Sequence, residues 1–175
     1  MKNIILIGYR CTGKTSVGKK AAEKLGLPFL DTDEVITREA QMSVEEIVRA
    51  GGWPLFRRKE KETIRSLSSL KGAVIATGGG AFEDPENCEA LRGTGLFVWL
   101  VADQKILLER MRSDNTCGGQ RPSLSGKGLE AEVAAMTRKR EPVYRGLADI
   151  VIDTSEKEID AIGNEIVRFI REQGI

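Results

Sequence analysis

The chain reads as an α/β domain, with a five-stranded parallel sheet flanked by helices on both faces. Three observations predict it. Short apolar runs alternate with segments of helical period along the whole chain. The first run, Ile4-Ile5-Leu6-Ile7, has no polar interruption, as a strand buried on both faces requires. A glycine-rich octet, Gly8-Tyr9-Arg10-Cys11-Thr12-Gly13-Lys14-Thr15, then separates it from a helical pattern.

In that pattern Val17, Ala21, Ala22 and Leu25 recur at helical spacing, and Gly26 is placed to end the helix. Pro28 to Asp31 forms a short second strand. Two short helices follow, over about 33–41 and about 43–50, the second opening on a capping box from Ser43 and Glu46. Gly51-Gly52 breaks the chain before a charged amphipathic helix over 55–70. The third strand, Ala73 to Ala76, runs into Thr77-Gly78-Gly79-Gly80. Asp84-Pro85 starts a helix, with a cap residue followed by proline in the first turn.

Leu96 to Val101 is the fourth strand, and Asp103 precedes a helix carrying Ile106, Leu107 and Met111. Ile150 to Asp153 is the fifth. The closing helix opens on a capping box, Ser155 with Glu158, and buries Ile159, Ile162, Ile166 and Ile170. Residues 113–127 break the alternation as a polar, glycine-containing stretch, read as a mobile lid in which Arg121 brings a positive charge to a phosphate.

A chain of 175 residues with 41% apolar and 30% charged side chains forms one domain, 1–175, with one core. A net charge of +1 provides no general field for nucleic acid or an anionic membrane, so any bound anion must be gripped locally. No apolar run is long enough to span a bilayer and no secretory leader precedes the first strand, so the expected compartment is the cytoplasm. Cys11, Cys88 and Cys117 follow neither a disulfide nor a zinc pattern and are expected as free thiols. The chain has no histidine, which excludes histidine-based nucleophilic machinery. A general base must be a carboxylate, and a metal must be held by oxygen, which suits magnesium and phosphoryl transfer.

The octet fits the phosphate-binding loop. Strand, loop and helix together aim backbone N–H groups and the positive end of a helix dipole at a polyphosphate. The ATP-side set is therefore Gly8, Arg10, Cys11, Thr12, Gly13, Lys14, Thr15 and Ser16. Lys14 reaches the β- and γ-phosphates, and the Thr15 hydroxyl serves Mg2+. For the metal-side carboxylate, Asp31, Asp103 and Asp153 all sit at strand ends. Asp103 and Asp153 have capping roles of their own, which leaves Asp31, with Asp33 two residues on. A solvated turn with a helix cap would also explain Asp31-Thr32-Asp33. Beside a phosphate loop, one carboxylate can organise magnesium and the other meet the attacking hydroxyl. Gly78-Gly79-Gly80 lets backbone approach a ligand with no side chain between. Arg57 and Arg140 lie in charged stretches that, taken alone, describe solvated helix faces.

Taken together, the octet, Asp31-Thr32-Asp33, Phe56-Arg57-x-x-Glu60, the triple glycine, Arg121-Pro122 and Arg140-x-Pro142-x-Tyr144 resemble the shikimate kinase family, in its order and at similar spacing over nearly the whole chain. The resemblance implies the P-loop kinase fold of the nucleoside-monophosphate-kinase type, with an acceptor-binding helical region over about 33–62. It implies transfer of the ATP γ-phosphoryl group to the 3-hydroxyl of shikimate, in aromatic amino-acid biosynthesis; Mg2+ is the expected metal and a monomer the expected state. The position matching Asp33 binds the acceptor hydroxyls and is the base. Those matching Arg57 and Arg140 hold the carboxylate, the triple glycine adds backbone contact through Gly79, Arg121 is the lid arginine, and Arg110 stacks near adenine. Three positions depart from the usual pattern: Cys11 stands where many members have glycine, Arg10 adds a loop cation, and Lys157 stands where some have an arginine on the adenine side.

Two other readings compete. A gluconate or nucleoside-monophosphate kinase shares the fold, and only Trp53, Phe56 and Phe82 are placed to line a base pocket on the acceptor side. A GTP-dependent switch would carry Asn-Lys-x-Asp, and the chain has no Asn-Lys pair.

Overall fold

A computed structural model describes residues 1–113 and 128–174. Among these, five strands form one parallel sheet: β1 (Asn3–Ile7), β2 (Phe29–Asp31), β3 (Val74–Ala76), β4 (Gly95–Val101) and β5 (Ile150–Asp153), in the order β2-β3-β1-β4-β5. The helices are α1 (Lys14–Leu25), α2 (Thr32–Ala40), α3 (Val44–Leu67), α4 (Pro85–Leu91), α5 (Gln104–Ser113), α6 (Leu129–Leu147) and α7 (Ile159–Glu172), with a 3₁₀ turn at Ala81–Glu83. No described helix is long and apolar enough to cross a membrane.

The period of two along the strands divides the core. Ile4, Leu6, Val74, Val98, Leu100 and Ile152 face α1 and α7, packing on Val17, Ala21, Ile162, Ile166 and Ile170. Ile5, Ile7, Phe97 and Trp99 face the other way, onto Ile64, Leu91 and Tyr144. With α1 on one face and α3, α4 and α6 on the other, the chain changes sides between β1 and its neighbour β3. Ligands bind outside the carboxyl ends of such strands, and both glycine-rich corners follow these two. At the edge strand β5 the cover is incomplete, leaving Val151 half exposed.

Several local signals hold. Gly26 ends α1 in the left-handed conformation, at φ 66°. Ser43 and Glu46 form both bonds of the capping box. Asp84 accepts from Glu86 N at 2.9 Å, with Pro85 in the first turn of α4. Non-helical backbone at Gly51 and Gly52 kinks α3, and Pro54 stands just beyond, where the missing N–H costs least.

The closing helix differs from expectation. It starts at Ile159 behind Glu158, without a side-chain cap, and Ile159 is exposed. The Ser155 hydroxyl is already engaged, donating to Asp153 Oδ1 and accepting from Asp103 N, so it makes no capping box with Glu158. Helix α2 also starts earlier than expected, at Thr32. Its cap is Asp31, so the helix-cap reading of Asp31-Thr32-Asp33 holds for that residue. Neither buried Cys11 nor half-buried Cys88 forms a disulfide, and Cys117 lies outside the described residues.

Candidate active site

At the end of β1 the octet forms a loop that only glycine could start. Gly8 has φ 140°, and a Cβ there would lie 2.3 Å from the Leu100 carbonyl. Thr12 Oγ1 closes the loop on Tyr9 O at 2.8 Å, and Lys14 Nζ rests on Gly8 O at 2.9 Å and Tyr9 O at 2.7 Å. Helix α1 follows with no side-chain cap and no acidic residue in its first turn. The positive end of its dipole is left for an anion.

The two residues expected to hold the metal, Thr15 and Asp31, lie against each other. Thr15 Oγ1 donates to Asp31 Oδ2 at 2.7 Å, while Asp31 Oδ1 accepts from Asp33 N at 2.9 Å. A hydroxyl and a carboxylate of hard oxygen character, beside a phosphate loop, fit magnesium that takes its remaining ligands from phosphate and water. The described residues contain no cluster of three or more His, Cys, Asp or Glu able to cage an ion by themselves.

On the nucleotide side, Cys11, Gly13, Ser16, Arg110 and Lys157 line one cleft of about 270 Å³. Arg110 anchors it, reaching Thr154 O at 2.6 Å, Thr154 Oγ1 at 3.2 Å and Cys11 O at 3.3 Å. Thr154 Oγ1 in turn donates to Thr12 O at 3.1 Å, which ties the end of β5 to the loop. Thr154 is thus an organising residue that the sequence analysis did not single out. Lys157 pairs with Glu165 at 2.7 Å. Arg10 turns away from the cleft and reaches buried Glu132 on α6 at 2.9 Å.

The acceptor side is built around the second glycine corner. A Cβ at Gly78 would lie 2.4 Å from Glu60 Oε1 and 3.1 Å from Asp33 Oδ1. One at Gly79 would lie 3.4 Å from both Gly8 O and Arg10 N of the phosphate loop. One at Gly80 would lie 2.2 Å from Arg57 Nη2 and 2.9 Å from Arg140 Nη2. Asp33, Arg57, Arg140 and the phosphate loop therefore converge on three consecutive α-carbons. Gly78 N donates to Thr32 Oγ1 at 2.9 Å, and Tyr144 donates its hydroxyl to Gly79 O, so the corner is pinned from two sides.

Each arginine has its own carboxylate. Glu60, fully buried, accepts from Arg57 Nη1 at 2.5 Å, and its Oε1 has no hydrogen-bond partner among the described residues. Burial pushes the Glu60 carboxyl up from its ordinary value, against the opposing pull of Arg57 and Arg140. Arg140, 5% exposed, binds Glu83 through Nε at 2.8 Å and Nη2 at 2.7 Å. Burial would raise Glu83 as well, but hydrogen bonds from Lys139 and Arg140 outweigh it and hold the carboxyl low. The guanidinium of Arg140 lies 5.6 Å from the Tyr9 ring, and that of Arg57 lies 5.6 Å from the Trp53 and Phe56 rings. Glu60 appeared in the sequence only as part of a motif, and Glu83 carried no motif signal at all. Arg121, and all of the expected lid except Ser113, lie outside the described residues.

A phosphate cradle thus adjoins a glycine corner on which two guanidiniums and two carboxylates converge. This is an arrangement for moving a phosphoryl group onto a hydroxylated carboxylic acid. A family model described as shikimate kinase matches residues 10–171. The chain is 43% identical to a shikimate kinase of Syntrophus aciditrophicus, over 98% of this chain and 92% of that one. It is 39% identical to one of Caldanaerobacter subterraneus subsp. tengcongensis, over 99% of both. Among solved structures it superposes on a shikimate kinase from Acinetobacter baumannii in complex with shikimate, with a TM-score of 0.91 and 32% identity, over 99% of this chain and 94% of that one.

Proposed function

The chain belongs to the shikimate kinase family, and from that premise we propose that it transfers the γ-phosphoryl group of ATP to the 3-hydroxyl of shikimate. One observation carries the assignment. Arg57 and Arg140 approach the same point at Gly80, beside Asp33 and the phosphate loop. Two guanidiniums facing one point can hold a carboxylate through paired hydrogen bonds, which a lysine pair could not.

In the mechanism, the carboxylate of shikimate lies between Arg57 and Arg140, and its hydroxyls face Asp33 and Glu60 Oε1. Asp33 accepts a hydrogen bond from the 3-hydroxyl and takes its proton as the oxygen attacks phosphorus. The loop N–H groups and Lys14 hold the β- and γ-phosphates. Thr15 and Asp31 would hold Mg2+, which would supply positive charge to the transferring group. Arg121, assigned from the family resemblance, adds a further cation there. The adenine side falls to the cleft at Arg110 and Lys157. Catalysis is then positioning and charge stabilisation, with no covalent intermediate on the enzyme. We place the reaction in the cytoplasm, where ATP is supplied, and assign it to a monomer.

Mixing the protein with ATP, magnesium and each of shikimate, gluconate and AMP, then identifying products by phosphorus NMR, tests this reading. Shikimate 3-phosphate is the expected product. Phosphorylation of AMP alone would reject the assignment.

A further inference from the structure

Glu83 closes the 3₁₀ turn that follows the glycine corner, its N–H donating to Gly80 O at 3.1 Å. A guanidinium offers two bidentate edges, one formed by Nε with Nη2 and one by the two Nη groups. Glu83 Oε1 occupies the first edge of Arg140, at 2.8 and 2.7 Å, and its Oε2 is held by Lys139. The second edge turns to the corner, with Nη1 3.6 Å from the Cβ position of Gly79 and Nη2 2.9 Å from that of Gly80. Arg57 Nη2 reaches the same Gly80 position, at 2.2 Å.

We propose that Glu83 is a positioning residue for the phosphoryl acceptor, which holds one edge of Arg140 so that the other faces the acceptor carboxylate. It also supplies the countercharge that lets two guanidiniums stand side by side. Glu60 does this for Arg57, and Glu83 does it for Arg140. Without Glu83, repulsion from Arg57 and the loss of two hydrogen bonds free the Arg140 head to turn. The ATP side should be untouched, because among the described residues the hydrogen bonds and ion pairs of Glu83 go to Gly80, Lys139 and Arg140, none of which lines the nucleotide cleft.

The inference rests on the shikimate kinase reading, and one set of steady-state measurements separates the two. Failure of that reading appears in the wild-type protein, which would then leave shikimate unphosphorylated. Failure of the Glu83 role appears only between variants. Glu83→Ala should raise KM for shikimate about tenfold and leave KM for ATP within about twofold. Glu83→Gln keeps an acceptor oxygen and should recover most of the loss, to about a threefold rise. On an Arg140→Ala background, Glu83→Ala should add nothing further, since its effect passes through that arginine. An unchanged KM for shikimate, an equal rise for both substrates, or an undiminished effect without Arg140 overturns the proposal. Should Glu83→Ala melt below the assay temperature, Glu83→Gln decides: a rise confined to shikimate supports the role, and any other pattern rejects it.

Discussion

Thr15 and Asp31 meet at 2.7 Å across the gap between α1 and β2, and the other oxygen of the same carboxylate caps the helix that carries Asp33. One side chain therefore joins Thr15 of the phosphate loop to the helix that carries Asp33. On the proposed mechanism, a displacement of Asp31 would disturb both the residues that would hold magnesium and the residue proposed to meet the attacking hydroxyl.

Asp31→Asn separates these roles, because asparagine caps a helix about as well as aspartate but brings no charge to a metal. Turnover should fall about 10²-fold, and the magnesium concentration for half-maximal rate should rise. Thermal melting should change little. An unaltered magnesium requirement would assign Asp31 to capping alone.

Arg57→Ala and Arg140→Ala each remove one arm of the clamp. KM for shikimate should rise about 10- to 100-fold in each, with ATP affinity nearly unchanged. Equal losses for both substrates would remove the clamp from the account. Arg140→Lys should resemble the alanine variant, since an ammonium cannot serve two edges at once.

Asp33→Asn should lower kcat by about 10²-fold or more while leaving the melting temperature close to wild type. A collapse of the melting transition would instead mark Asp33 as structural. Single-turnover measurement at saturating shikimate separates the two.

Gly80→Ala places a methyl group where both Nη2 atoms now approach, at 2.2 and 2.9 Å. Shikimate binding should be lost to calorimetry, while a titration with ATP should still show a site. Retention of both would mean that the arginines are free to move aside.

The two clamp carboxylates should titrate in opposite directions. The Glu83 carboxyl lies below its ordinary value of 4.5, so its stabilisation is present above that pH and is lost as pH falls through the lowered value. The stability advantage of wild type over Glu83→Gln should therefore shrink in acid. The Glu60 carboxyl lies above 4.5, so its ionisation works against folding, and wild type should lose ground to Glu60→Gln as pH rises through the raised value. Urea unfolding at a series of pH values checks both slopes, and two slopes of the same sign would refute the pairing.

Most of the scaffold was readable because its signals are local. The apolar run before Gly8, the octet itself, the Ser43–Glu46 capping box and Pro85 each act within a few residues, where spacing alone sets geometry. The failures have the same origin. Ser155 and Glu158 match a capping box in spacing, but the Ser155 hydroxyl is claimed by Asp153 and by Asp103 from another element.

Strand, loop and helix around the phosphate follow from the linear order of residues, because backbone and side chains a few positions apart must meet whatever the rest of the chain does. The acceptor clamp has no such guarantee. Arg140 stands 57 positions from Glu83, and Tyr144 stands 65 positions from Gly79. These pairs exist because β3 lies next to β1 and α6 packs on that face of the sheet. Partners joined only by packing leave no spacing in the chain, so the glycine corner was visible as a motif while Glu83, Thr154 and the edge that Arg140 presents emerged only from the tertiary fold.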